Sequence, residues 1–192
     1  MSIAGKKIGF GLTGSFCTLD KALVQMERLA FLGADILPVV SYMVKSTDTR
    51  FGSAQYFLDK IRIIAGKDYI DTIVNAEPIG PSTKLDLMVV LPCTGNTLSK
   101  LATGITDTPV TMACKAHLRN NRPLLLGIAT NDGLGSNAKN IGLLQNTKNI
   151  FFIPFRQDSP EKKYTSLICR MDLFINAVEA SLEGEQIQPV LV

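Results

Sequence analysis

Three short segments combine hydroxyl groups, glycines and an amide in a way that suits anion binding: Thr13-Gly14-Ser15, Ser41, and Thr94-Gly95-Asn96-Thr97. Glycine exposes its backbone N–H, and an alcohol or amide side chain adds a donor without adding charge. Where a helix follows such a turn, its first N–H groups lack a partner inside the helix and its dipole end is positive. A phosphate can be held there without Lys or Arg. Taken singly, each segment also reads as an ordinary helix cap; the three together make a phosphate-cradling set. The span Gly9-Phe10-Gly11-Leu12-Thr13-Gly14 is a formal G-x-G-x-x-G match. Its first glycines fall inside an apparent strand, however, and Ser41 stands where a dinucleotide fold keeps a ribose-binding carboxylate. Both features argue against NAD on this chain and for a mononucleotide with a terminal phosphate.

These segments need elements to hold them. Lys7–Leu12 reads as a strand, and a helix with Leu19, Ala22, Leu23, Met26 and Ala30 on one face stops at Gly33. Asp35–Val40 is the second strand, and the polar loop 45–50 after it is free to hold a ligand. A helix with Phe57, Ile61 and Ile64 ends near Gly66, and residues 72–74 suit a short strand. The continuous apolar run 85–91 suits a strand buried on both faces of a parallel sheet. Beyond it come a short helix at 98–102, a helix over Pro109–Leu118, a strand at 123–129 and the turn Thr130-Asn131-Asp132-Gly133. Then follow a helix with Leu134, Ala138, Ile141 and Leu144, and a strand at 150–153. A charged loop at 158–163 reads as solvated, a last helix carries Ile168, Met171, Ile175, Val178 and Leu182, and the apolar tail 187–192 suits docking on another subunit. Five strand–helix alternations imply an α/β fold of three layers, Rossmann-like or flavodoxin-like, its parallel sheet covered by helices on both faces. Ligands of such sheets bind beyond the strands' carboxyl ends, where all three polar segments lie.

Composition narrows the function. The chain has 192 residues, a length that suits one domain over 1–192, and 46% of them are hydrophobic, enough to build a core. Twenty Lys and Arg against 17 Asp and Glu give a net charge of +3, spread without a basic stripe, which argues against nucleic acid. No apolar run suits a membrane span and no secretory segment opens the chain, so a cytoplasmic protein is expected. Cys17, Cys93, Cys114 and Cys169 form no C-x-x-C pair and read as reduced thiols. With His117 the one histidine, a metal site has no support. His117 reads as structural, and a Ser-His-Asp hydrolase is disfavoured.

The run Pro92-Cys93-Thr94-Gly95-Asn96-Thr97-Leu98-Ser99-Lys100-Leu101-Ala102-Thr103-Gly104-Ile105-Thr106-Asp107 resembles the P-x-T-x-N-T-x-x-K-x-A-x-G-x-x-D signature of the flavoprotein family. That family includes flavin-containing cysteine decarboxylases and flavin prenyltransferases, Rossmann-like proteins that bind FMN. The signature covers about a tenth of the chain; a general resemblance runs from the first strand to the last helix, and is strongest to the dipicolinate synthase B-subunit branch. It implies FMN held at its phosphate and ribityl chain by Gly14, Ser15, Phe16 and Ser41, with Thr94, Gly95, Asn96 and Thr97 beside the flavin. The family's closing P-x-M-N turn corresponds here to Ala129-Thr130-Asn131-Asp132, of which only the Asn matches, so Thr130 and Asn131 stand at that place.

The branch also implies oxidation of a dihydrodipicolinate-type precursor, with NAD(P) on a partner A subunit, and a homo-oligomer such as a trimer. A dicarboxylate needs cations, and Lys45 and Arg50 are the candidates, Arg50 for its fork geometry. No histidine lies between Tyr42 and Gly66, where the family's decarboxylases carry one, so no catalytic residue is assigned. Two alternatives stay open: another flavoprotein-family enzyme, decarboxylase or prenyltransferase, and a non-catalytic subunit that stabilises a partner.

Overall fold

The computed structural model describes residues 3–192, arranged around a seven-stranded sheet. Strands β1 (Lys7–Leu12), β2 (Asp35–Val40), β3 (Leu87–Cys93), β4 (Leu124–Thr130) and β5 (Ile150–Phe152) run parallel, in the spatial order β2-β1-β3-β4-β5. Winding reverses between β1 and β3, the crevice where doubly wound sheets bind ligands. Every residue of β3 is buried, which explains its unbroken apolar run. β1 and β2 pair in step from Lys7 opposite Asp35 to Leu12 opposite Val40, so Thr13 and Ser41 leave the sheet side by side.

Helices α1 (Phe16–Phe31) and α8 (Phe174–Leu182) cover one face, where Phe10 meets Phe174 edge-on at 6.1 Å between ring centroids. Short α2 (Tyr42–Ser46) and α3 (Ala54–Ala65) flank α1. Helix α4 (Ile73–Ala76), α5 (Gly95–Thr103), α6 (Pro109–Leu118) and α7 (Ala138–Gln145) lie on the other side. Local chemistry sets these bounds. Thr108 and Thr111 form a reciprocal capping box ahead of Pro109 at the start of α6. Gly66 and Gly104 end α3 and α5 in the left-handed region, at φ 65° and 74°, where a side chain would be strained. No helix among the described residues is long and apolar enough to cross a membrane.

Three sequence expectations are corrected. Residues 72–74 begin a helical turn capped by the Thr72 hydroxyl, which accepts from Asn75 N–H, and Ile70 bridges to Val39 instead. Helix α7 starts at Ala138, leaving Leu134 in an exposed turn. The rhythm from Ile168 onward is not all helical: Leu167–Cys169 is β7, antiparallel to β6 (Phe155–Gln157), and the helix proper begins at Phe174. The tail is tied to its own fold, where the Phe155 N–H donates to the Val190 carbonyl at 3.0 Å and the Val192 N–H to the Phe155 carbonyl at 3.2 Å, while Leu191 and Val192 keep exposed side chains.

The edge of β4 is shared. Its entry half, Leu124 to Leu126, pairs with β5, while its exit residues Ala129 and Thr130 pair with Ile168 and Leu167 of β7. The antiparallel β6–β7 hairpin therefore hangs from the carboxyl end of the parallel sheet.

Helix α5 is jointed to the exit of β4 through Gly95. A Cβ there would come 2.5 Å from Thr130 Oγ1, 2.6 Å from Asn137 Nδ2 and 2.7 Å from Asp132 Oδ1. Those atoms belong to one half-buried network. Thr130 Oγ1 donates to Asp132, and Asn137 Nδ2 donates to both Asp132 oxygens at 2.9 Å. Asn140 Nδ2 donates to Asn137 Oδ1 at 2.9 Å and to Ser99 Oγ at 3.0 Å, and Ser99 Oγ donates to the Gly95 carbonyl at 2.9 Å. Gly95→Ala should therefore cost about 1–3 kcal/mol of stability. The same change at Gly142 in α7, with nothing within 4 Å of its would-be Cβ, should stabilise by about 0.5–1 kcal/mol. Urea unfolding of both variants tests this, and equal effects would show that Gly95 is not confined.

His117, fully buried in α6, donates from Nε2 to the Pro123 carbonyl at 2.8 Å, so Nδ1 is the bare nitrogen; it has no partner among the described residues. Burial lowers its pKa from 6.5 to about 4. The unfolded chain takes up this proton as pH falls through 6.5 while the folded one resists until about 4, so the residue's contribution is lost over that window. The loss between about pH 7.5 and about pH 5 should be about 2 kcal/mol. His117→Gln keeps a donor for Pro123 and should lack that share of the acid loss in urea titrations; identical losses would refute the assignment.

Candidate functional site at the strand ends

Thr13, buried just past β1, ties the crevice together. Its Oγ1 donates to the Pro92 carbonyl at 2.7 Å and accepts from the Thr94 N–H at 3.1 Å, joining the ends of β1 and β3. Gly14 faces the β2 exit: a Cβ there would sit 3.2 Å from Met43 Cβ. Ser41, also buried, donates its N–H to the Leu12 carbonyl at 3.0 Å, and its hydroxyl caps α2 by accepting from Val44 N–H at 3.4 Å. The structure thus brings Gly14, Ser15, Ser41 and Thr94 to one edge of the sheet.

Three helices start at this edge, and the two longer ones, α1 and α5, differ at their ends. The Thr94 hydroxyl caps α5, accepting from Thr97 N–H at 3.3 Å and lying 3.0 Å from the Thr97 hydroxyl. The Asp132 carboxylate stands beside Gly95, its pKa lowered first by the Thr130 hydroxyl and then by the Asn137 amide, so it stays ionised. The positive end of α5 already has an internal anion near it. Helix α1, 16 residues long, has no acid in its first turn and no side-chain cap. Ser15 at its cap position instead meets Thr18, whose Oγ1 lies 2.8 Å from both the hydroxyl and the carbonyl of Ser15. The N–H groups of Phe16 and Cys17 have no partner among the described residues. Phe16 packs its ring against Phe57 at 6.4 Å, and Asn96 is exposed.

A cleft of about 80 Å³ adjoins α1, lined by Ser15, Thr18, Thr130, Asn131, Asp158 and Lys163 among others. Gly14, Ser41 and Thr94 lie outside it. Asn131 is exposed; its carbonyl accepts from Thr165 Oγ1 at 2.6 Å and its side chain from Ser166 Oγ at 3.4 Å. The charged loop is solvated, as expected, with residues 159–165 exposed; Asp158 and Lys163 also line this cleft, where they pair at 2.6 Å. Lys45 is paired with Asp71 at 2.7 Å, a hydrogen bond that raises its pKa. Arg50 is exposed and stacks over Phe51, 4.9 Å from the ring centroid. Sequence reasoning missed Asp132, Asn137, Asp158 and Lys163. Their roles depend on the pairing of β7 with β4 and on α7 reaching α5, and no local spacing signals either.

The thiols divide in the same way. Cys93, Cys114 and Cys169 are buried, and burial pushes them up, Cys169 to about 12, so they stay protonated. Cys17, in the first turn of α1, is exposed. Among the described residues no group of His, Cys, Asp and Glu is placed to hold a metal.

Comparison with known proteins places this geometry in a family. The chain is 53% identical over 191 residues to the dipicolinate synthase B subunit of Bacillus subtilis (strain 168), covering all of this chain and 96% of that protein. Its fold matches the crystal structure of the dipicolinate synthase B subunit from Bacillus halodurans C with a TM-score of 0.92 and 52% identity, over 100% of this chain and 98% of that one. The FMN-dependent cysteine decarboxylase SpaF matches with a TM-score of 0.66 at 18% identity over 94% and 97% of the two chains, a likeness of fold alone. The model of the Flavoprotein family matches residues 2–179, and the chain belongs to that family.

Proposed function

We propose that this chain is the FMN-binding subunit of a two-subunit dipicolinate synthase, working in the mother-cell cytoplasm of a spore former with an A subunit that carries NAD(P). The observation that carries the reading is the 53% identity along the whole chain to the dipicolinate synthase B subunit of Bacillus subtilis. The open end of α1 supports it physically. Two free N–H groups, a positive dipole end and no acid in the first turn fit a terminal phosphate.

In this reading Gly14, Ser15 and Phe16 receive the phosphate, and Phe16 and Ser41 flank the ribityl chain. Thr94, Gly95, Asn96 and Thr97 border the flavin, with Thr130 and Asn131 closing its side. When bound, the flavin supplies the two-electron acceptor that turns a dihydropyridine-type ring into an aromatic one. The chain's own part is to bind, to orient and to shield. The 80 Å³ cleft is far below the roughly 300 Å³ at which ligand pockets begin. A mononucleotide on one chain would stay largely open, and a homo-oligomer, such as a trimer, would cover it. Arg50, with no acidic partner among the described residues, is the cation this reading assigns to a substrate carboxylate; Lys45 would serve only by leaving Asp71. The single unit spans 1–192.

The purified chain should bind FMN, seen as a flavin absorbance band that survives gel filtration, and anaerobic addition of the precursor should bleach the band in the presence of the A subunit. No flavin affinity, or full dipicolinate production by the A subunit alone, would overturn the reading; carbon dioxide release or flavin alkylation would point instead to a decarboxylase or a prenyltransferase. Ser15→Asp separates phosphate binding from folding. Aspartate caps a helix as well as serine, so thermal stability should hold or rise. Its charge stands where the phosphate binds, so FMN affinity should fall at least about tenfold. Unchanged affinity would remove the phosphate from this turn.

A further inference from the structure

We propose that Lys163 is the specificity-determining cation of this site: it receives a carboxylate of the substrate by exchanging out of its ion pair with Asp158. The inference rests on the dipicolinate reading and adds to it a residue and a hairpin. It begins with the shared edge of β4. Because Ala129 and Thr130 pair with Ile168 and Leu167, the β6–β7 hairpin reaches over the strand ends, and its connecting loop lines the same cleft as Ser15 and Thr18.

That loop is held by its own hydrogen bonds. Asp158 N–H donates to the Ser166 carbonyl at 2.9 Å, Lys163 N–H to the Ser159 carbonyl at 2.8 Å, and Gln157 Nε2 to the Tyr164 carbonyl at 2.9 Å. The backbone that carries Lys163 is thus preset, and only its side chain has to move. Of Lys45, Arg50 and Lys163, Lys163 alone lines the cleft. Its pair with Asp158 is open to water, the two side chains being 51% and 32% exposed. Such pairs add little to stability and exchange readily for another carboxylate.

Size and charge agree. A cleft of about 80 Å³ holds the equivalent of about two or three waters at roughly 30 Å³ each, room enough for a carboxylate group. With a phosphate on the end of α1, a second anion nearby needs a cation of its own, and the positive end of α5 already faces Asp132. Asp158 is then a competitor: it keeps Lys163 in place when the site is empty and must be displaced when it fills.

Calorimetric titration of the FMN-loaded chain, alone and with its A subunit, with dipicolinate and with the monocarboxylate picolinate, tests this. Lys163→Gln should weaken dipicolinate about tenfold, and Lys163→Arg should restore most of it. Asp158→Asn should tighten dipicolinate about threefold by removing the competitor. FMN affinity should stay within about twofold in all three, and picolinate should bind more weakly than dipicolinate. Opposite signs at positions 158 and 163 distinguish exchange from a structural pair, which would lose affinity in both variants. The proposal is overturned if Lys163→Gln leaves dipicolinate binding unchanged, if both variants weaken it alike, if the loss falls on FMN, or if the FMN-loaded wild type binds no dipicolinate in either form. Failure of the wild type to bind FMN at all would instead sink the functional reading beneath it.

Discussion

The divided edge of β4 governs what the rest of the molecule can do. A parallel strand offers one row of backbone donors and acceptors along each edge, and here β5 takes the first part of one row and β7 the last. Had β5 continued to the end of β4, the exit would be closed by a parallel neighbour and the following chain would leave over a face of the sheet. Because β5 is only three residues long, the backbone groups of Ala129 and Thr130 are left for an antiparallel partner, and the hairpin stands beyond the strand ends. Every charged group of the cleft that is not on β4 or α1 owes its position to that arrangement.

A second constraint sorts the ends of the two longer helices at the crevice. Both follow β-strands and both begin with a hydroxyl-bearing residue, yet only α5 has its cap and a neighbouring carboxylate supplied from within. The Asp132 network is closely hydrogen-bonded and half-buried, and a polar network of that kind rigidifies what it joins. It fixes α5 and the β4 exit as one unit and leaves α1 as the end with unspent donors. In the proposed reading, where an anion would bind at this crevice follows from which donors the fold has already used.

Much of this was legible in the chain. The five parallel strands, the core helices and the three polar turns follow from short-range signals: an apolar run of strand length, a 3.6-residue rhythm, a glycine past a helix end. The turns at Gly14, Ser41 and Thr94 converge because strand order places them side by side. Legibility ended where pairing became long-range. Ile168 keeps helical step with Met171 and Ile175, but the open edge of β4 claims it as a strand, and tertiary pairing overrides local rhythm. Thr72 showed a cap as plainly as Thr94 does, yet the β-branched Ile73 and Val74 after it read as strand. Lys163 and Asp158 looked like solvated charges because nothing near them in sequence points to Ser15, over 140 positions away.

The arrangement also bears on what kind of chemistry this surface can perform. His117 bonds to Pro123, the residue before β4, whereas the site lies past Thr130 at the other end of the strand, about 23 Å away at roughly 3.3 Å per residue. An imidazole there can neither give nor take a proton at the strand ends. Three of the four thiols are buried and held protonated, and the carboxylates at the edge, Asp132 and Asp158, are committed to Asn137 and Lys163. What the edge does offer is N–H donors, hydroxyls, amides, the Lys163 ammonium and one exposed thiol, Cys17, with no base paired to it among the described residues. That inventory favours holding anions in a fixed relation over transferring protons. It suits a reaction whose electrons move through a bound cofactor while the protein sets distance and orientation.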